Sequence, residues 1–194
     1  MNRAALLIAG ATVGALALFP PTRRAGLDTI DQAIDMTTTA ITPDLLNVPN
    51  VRAFLRTIRH AEGTAGPTGY RMLFGGALFD SYDDHPRTVV TRKSGTKPIS
   101  STAAGAYQIL SRTWDEAKKG AGLTDFAPPS QDLAALWLIR RRGALRDVIA
   151  GRFDDAIRKC ANEWASLPGS PYGQPVKTLT AVRAVYTSEG GRFA

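Results

Sequence analysis

Val51, Phe54, Leu55 and Ile58 recur at helical spacing, and the next place on that apolar stripe is held by an acid, Glu62. Eleven steps of about 100° return Glu62 to nearly the face of Val51. Arg52, Arg56 and Arg59 point elsewhere. The spacing predicts a helix over VRAFLRTIRHAE, with Asn50 as its N-cap and Gly63 as its stop. A carboxyl at that place meets two pressures: removal from water and the negative end of the helix dipole. Both favour the neutral acid. The alternative is a frayed helix end with the carboxylate turned to solvent. An acid that stays protonated near neutral pH suits general acid catalysis on a glycosidic oxygen, and base catalysis once its proton has gone.

The rest of the chain reads as a small sheet followed by helices. YRMLFGGALFDSY (70–82) predicts a β-hairpin turning at Gly75-Gly76, DDHP a turn, and RTVVTR (87–92) a third strand before a polar loop. Thr113-x-x-Glu116 fits a capping box, and Ser130 is placed to cap QDLAALWLIRRR, which stops at Gly143. FDDAIRKCANEWASL continues in helical register, and PVKTLTAVRAVYTSEGG opens on a proline and closes on glycine. Trp114, Trp137 and Trp164 fall at core positions of these helices, and Arg140–Arg142 read as a solvated charge run. The pattern predicts an α+β domain over residues 50–194, mostly helical with a small antiparallel sheet.

Residues 21–49, with scattered prolines and three consecutive threonines, read as a connector. Residues 4–19 carry no charge and follow Arg3. As a helix they would span roughly 24 Å, short of the ~30 Å hydrocarbon core. Residues 1–20 are therefore expected to be a cleaved signal, a stable anchor, or a marginal segment that enters a membrane and later leaves it; a buried soluble helix is the further alternative. Charge divides with this organisation. Residues 1–50 hold 3 basic and 4 acidic side chains, and the remainder holds 21 and 13. A basic body suits a polyanionic partner, whether nucleic acid, an anionic membrane or a bacterial wall. The single cysteine, Cys160, forbids an intramolecular disulfide and sits in an apolar pattern. With only His60 and His85, no Cys/His zinc cluster can be assembled, and the chain carries no Walker loop or dinucleotide fingerprint.

Glycoside cleavage commonly uses two carboxylates, and Asp80, Asp83 and Asp84 are candidates for the second; turn formation is their alternative use. Gln108, with donor and acceptor atoms, suits N-acetyl groups or a neighbouring loop's backbone. Tyr107 is either core or a sugar platform. Tyr172 and Gln174 lie in the Gly/Pro-rich loop GSPYGQ, where an aromatic and an amide suit saccharide contact. Ser101, Tyr82 and His85 complete the candidates.

Five ordered blocks, AEGT (61–64), GGALFDSYDDHPR (75–87), STAAGAYQILSRTWD (101–115), PPSQDLAALWLIRRRGAL (128–145) and KCANEWASLPGSPYGQ (159–174), resemble the lambda-type phage endolysins. These are lysozyme-like lytic transglycosylases. The resemblance runs from Val51 to about Gly191 and omits the first 50 residues. It implies a lysozyme-like fold and a catalytic acid at Glu62 acting without an obligatory second carboxylate. It further implies cleavage of the MurNAc–GlcNAc bond in peptidoglycan with closure of a 1,6-anhydro ring. GAYQ resembles the Gly-x-x-Gln element of lytic transglycosylases more widely. The expected partners are glycan strands, with no nucleic acid, in a monomeric enzyme. Residues 4–19 resemble signal-arrest-release segments, which implies export by the host secretion machinery, tethering in the inner membrane and release to the periplasm. A hydrolytic lysozyme using an added Asp, and a non-catalytic wall-binding module, are the competing expectations.

Overall fold

The computed structural model describes residues 41–94, 97–173 and 175–194. The expectations for residues 1–40 and for Gln174 lie outside them. A 3-10 turn, Pro43–Asn47, leads directly into α1, Pro49–Ala61. The strands β1, Val90–Ser94, and β2, Lys97–Ser101, form an antiparallel hairpin in which Arg92 pairs with Ile99. Five helices follow: α2 Ser111–Ala121, α3 Pro128–Arg141, α4 Leu145–Ala150, α5 Phe153–Cys160 and α6 Leu179–Ser188. Helix plus a small separate sheet is the expected α+β arrangement.

Helix α1 is the central element. Pro49 starts it with a preset φ, and the predicted stripe is buried: Val51, Phe54, Leu55 and Ile58, joined by Ala53 and Ala61. Buried Thr57 satisfies its hydroxyl on the Ala53 carbonyl, 2.8 Å away. The helix packs against α6, α4 and the 43–47 turn, and Phe54 meets Phe153 edge-on at 5.8 Å between centroids. Phe153 continues into Tyr186 and Phe193. A second aromatic cluster surrounds Phe126, with Trp114 at 4.7 Å and His85 at 4.9 Å. Trp114 and Trp164 are core, and Trp137 packs half-buried against it.

Several sequence expectations give way here. Asn50 does not cap α1; Val48 does, and the Asn50 amide instead donates to the Ile149 carbonyl and accepts from the Arg192 backbone N–H, tying Arg192 to the first turn of α1. Residues 70–82 form no two-stranded hairpin. Gly75 and Gly76 do take positive φ, and Met72 and Leu78 bridge, but Phe74 N–H donates to the Ala103 carbonyl and Gly105 N–H to the Met72 carbonyl. The backbone partners that a long hairpin needs are used by the GAYQ segment. The polar loop after β1 contains its partner, β2. Thr113 and Ser130 fall inside α2 and α3 and cap neither; Ser130 bonds Asp125 at 2.7 Å. Helix α6 starts after Thr178, whose hydroxyl accepts from Ala181 N–H, rather than at Pro175. Arg141 and Arg142 both bind Glu163, so this charge run is a fastening rather than a solvated face.

Leu45, assigned to the connector, is 5% exposed in the same core as Phe54. Truncating a buried leucine removes its packing and leaves a cavity, at a cost of about 2–5 kcal/mol. Urea unfolding of Leu45→Ala is expected to show a loss in that range; an unchanged midpoint would return the segment to connector status.

Candidate functional site

Glu62 is the C-cap of α1, directly after Ala61, with φ −74° and ψ −7°. The turn closes as a Schellman motif: Gly63, at φ +74°, donates to the His60 carbonyl and Thr64 to the Arg59 carbonyl. The predicted glycine stop therefore fixes where Glu62 points. Its side chain is half-buried, and Ser166 Oγ donates to Oε1 at 2.5 Å. Burial pushes the Glu62 carboxyl above its ordinary value of 4.5, and the hydrogen bonds from Ser166 hold back part of that rise. Arg59 does not oppose it. Its guanidinium bonds the Tyr70 hydroxyl and the Thr64 carbonyl, both at 3.3 Å.

Ser166 went unnoticed in the sequence because KCANEWASL fits helical register. The structure ends α5 at Cys160 and carries the chain onward in turns. Trp164 anchors this segment, its indole N–H donating to the Tyr107 carbonyl at 3.0 Å, and Leu167 is fully buried. Ser166 lies between these anchors and reaches a carboxyl 104 residues earlier. Cys160 itself is buried, and burial pushes its thiol up to about 12.

The other candidates separate into framework and surface. Tyr107 is 1% exposed and its hydroxyl donates to Asp132 at 2.6 Å, so its ring is core and unavailable as a sugar platform. Gln108 is a non-glycine residue at φ +46°. Its Nε2 donates to the Met72 and Gly105 carbonyls, holding the GAYQ turn closed. Tyr172 is 56% exposed, with its hydroxyl on the Asn162 carbonyl. It shares a cleft of about 190 Å³ with Gln108, Thr113, Asn162 and Glu163. Thus Gln108 and Tyr172 do come together. Ser101 and Tyr82 do not join them at that cleft: Ser101 Oγ accepts from Ala103 N–H, and half-buried Tyr82 packs edge-on against Phe79. His85 is buried. Its Nδ1 accepts from the Arg87 backbone, which leaves Nε2 to donate to the Ile109 carbonyl, and burial lowers its pKa so that it stays neutral.

No aspartate of the 80–84 turn is offered as a partner for Glu62. Burial raises Asp84, but donors from Trp114, Lys118 and Arg87 outweigh it and hold the carboxyl well below the usual range. Asp80 is exposed and paired with Arg71, and Asp83 is exposed. Among the described residues no group of three His, Cys, Asp or Glu side chains could hold a metal ion.

A profile of the family described as Endolysin matches residues 52–193. The chain belongs to the endolysin family. Among its endolysin relatives, that of Escherichia phage lambda is 44% identical over 146 residues, 72% of this chain and 90% of that protein. The endolysin of Escherichia phage P2 is 41% identical over 157 residues, 73% and 93% of the two chains. The solved structure of bacteriophage lambda lysozyme complexed with a chitohexasaccharide aligns with a TM-score of 0.69 at 41% identity, covering 75% of this chain and 97% of the other. The fold of this endolysin is accordingly lysozyme-like, as its sequence blocks implied.

A raised carboxyl pKa carries a stability signature. The contribution of Glu62 is fully present below its unfolded-state pKa and is lost as pH rises through the higher folded value. Glu62→Gln removes the group whose ionisation the fold disfavours. The variant is expected to melt above the wild type at pH 7, with the gap closing below pH 4; a variant that melts lower at pH 7 would contradict the raised value.

Proposed function

We propose that this endolysin degrades peptidoglycan as a lytic transglycosylase in which Glu62 serves first as acid and then as base. The observation that carries the reading is the state of Glu62: half-buried, favoured as the neutral acid, hydrogen-bonded to Ser166, while the nearby-in-sequence aspartates are engaged or solvated. The protonated carboxyl gives its proton to the oxygen linking C1 of N-acetylmuramic acid to O4 of N-acetylglucosamine, and that C–O bond breaks. The muramic acid's own N-acetyl group stabilises the charge left at C1. The Glu62 carboxylate then takes the proton of the muramic 6-hydroxyl, and O6 bonds to C1 to close the anhydro ring. No water is consumed, and Glu62 ends as it began.

A relative that binds a chitohexasaccharide supports a glycan occupant for the cleft bordered by Gln108 and Tyr172. The basic body favours adsorption to an acidic wall. Product analysis on purified peptidoglycan tests the chemistry. Anhydro-muramic ends, one water lighter than reducing ends, are expected, and Glu62→Gln should lose about 100-fold or more in rate. Reducing ends alone would make the enzyme a hydrolase.

Residues 4–19 motivate a second part of the proposal, that the chain is exported, held at the host inner membrane and released to the periplasm. Mass spectrometry of the periplasmic protein should then find residues 1–17 retained; their absence would establish cleavage instead.

A further inference from the structure

The segment from Glu62 to Tyr70 is bound on its inner side by a polar network that the proposed reaction does not use. Asp132, on α3, accepts at one oxygen from two phenols, Tyr70 at 2.8 Å and Tyr107 at 2.6 Å. Tyr70 in turn receives Arg59 Nη1, and the guanidinium lies over its ring, 4.4 Å from the centroid. Arg59 Nη2 holds the Thr64 carbonyl, and Thr64 Oγ1 reaches the Ala106 carbonyl. The order is cation, phenol, carboxylate, phenol. Arg59 stands three residues before Glu62 on the same helix, close enough for i, i+3 side chains to meet. Its Nε is buried with no hydrogen-bond partner, so the guanidinium is incompletely satisfied where it lies. Turning toward a neighbouring carboxyl would satisfy it.

We propose that Asp132 is a positioning residue for the reaction: acting through Tyr70, it holds the Arg59 cation in the 64–70 loop and away from the Glu62 carboxyl. This rests on the reading of Glu62 as the catalytic acid. A cation beside that carboxyl would favour its ionised form and take away the proton the first step needs. Of the charged groups near this turn, Lys177, whose backbone N–H donates to the Ser166 carbonyl, is exposed. Arg56 and His60 of α1 both face Glu189 of α6 at 3.5 Å, and Glu163, on the segment carrying Ser166, is held by Arg141 and Arg142. Burial raises the Asp132 pKa, with the two phenols and Arg59 opposing the rise; the phenols of Tyr70 and Tyr107 are both raised, first by burial and then by the charge of Asp132. Through the Tyr70 hydroxyl, Arg59 is linked to a single Asp132 oxygen that is shared by two phenols and half-buried.

The test is the pH dependence of kcat/KM on purified peptidoglycan, whose basic limb reports loss of the essential proton from the free enzyme. Asp132→Asn keeps an oxygen for both phenols and removes the charge. Its basic limb is expected about 0.5–1 pH unit lower than that of the wild type. Tyr70→Phe, which cuts the link and keeps the carboxylate, should shift it the same way by less. Adding Arg59→Gln to Asp132→Asn should return the limb to its original place. Tyr107→Phe should lower thermal stability and leave the limb where it was. A limb unmoved in both Asp132→Asn and Tyr70→Phe overturns the proposal, including the case in which a freed Arg59 turns to Glu189. Glu62→Gln run alongside separates the two levels. Full activity there removes the acid itself and this inference with it, whereas an inactive Glu62→Gln with an unmoved limb removes only Asp132.

Discussion

The Oγ–H of Ser166 and the Oε1 of Glu62 meet at the junction of two regions of chain that are far apart in sequence. Placing a carboxyl there requires a helix buried along its whole apolar face, so that its last turn is drawn partly out of water. It also requires a second segment rigid enough to present one hydroxyl to that turn. The first need is met by α1, packed among α6, α4 and the 43–47 turn. The second is met by Trp164 and Leu167, whose burial leaves little freedom to the residues between them. Burial and hydrogen bonding act on the Glu62 proton in opposite directions, and burial is the larger. An acid poised this way keeps its proton to higher pH than an ordinary carboxyl and has a donor in place to steady the carboxylate afterwards.

Polar groups also hold the segment around Gln108 in shape. Gln131 is fully buried and satisfies both ends of its amide: Oε1 accepts from Ala106 N–H at 2.8 Å, and Nε2 donates to the Tyr70 and Phe126 carbonyls. Gly105, at φ +76°, lies so close to that amide that any β-carbon would strike it. The glycine of GAYQ is therefore needed for packing against Gln131, and its glutamine for closing the turn. Half-satisfied networks of this kind cost more than apolar contacts, whereas complete ones specify a single arrangement. Arg141, Arg142 and Glu163 do the same in the lining of the Gln108 cleft, which also holds Tyr172.

What the sequence displayed well was anything written in periodicity. The stripe from Val51 to Ile58, its termination at Gly63 and the position of Glu62 all follow from spacing and one glycine. The buried tryptophans follow from the same pattern. Capping was less legible, because Asn50, Thr113 and Ser130 are polar residues of the right type that found longer-range partners or sit inside the helices. The Ser166 contact was hidden for a different reason. A helical pattern continued through residues 161–167, and only tertiary burial of Trp164 and Leu167 breaks it into turns. Tyr107 shows the limit for aromatics: local sequence does not distinguish a ring facing a groove from one whose hydroxyl reaches a carboxylate 25 residues away.

The central claim is that the fold raises the pKa of Glu62 by taking it out of water, with Ser166 as the moderating donor. The direct measurement is a carbon-13 NMR titration of the Glu62 side-chain carboxyl, assigned by its absence in Glu62→Gln and repeated in Ser166→Ala. A midpoint above 4.5, moving higher when the serine hydroxyl is removed, is the predicted result. A wild-type midpoint at or below 4.5 would contradict the account.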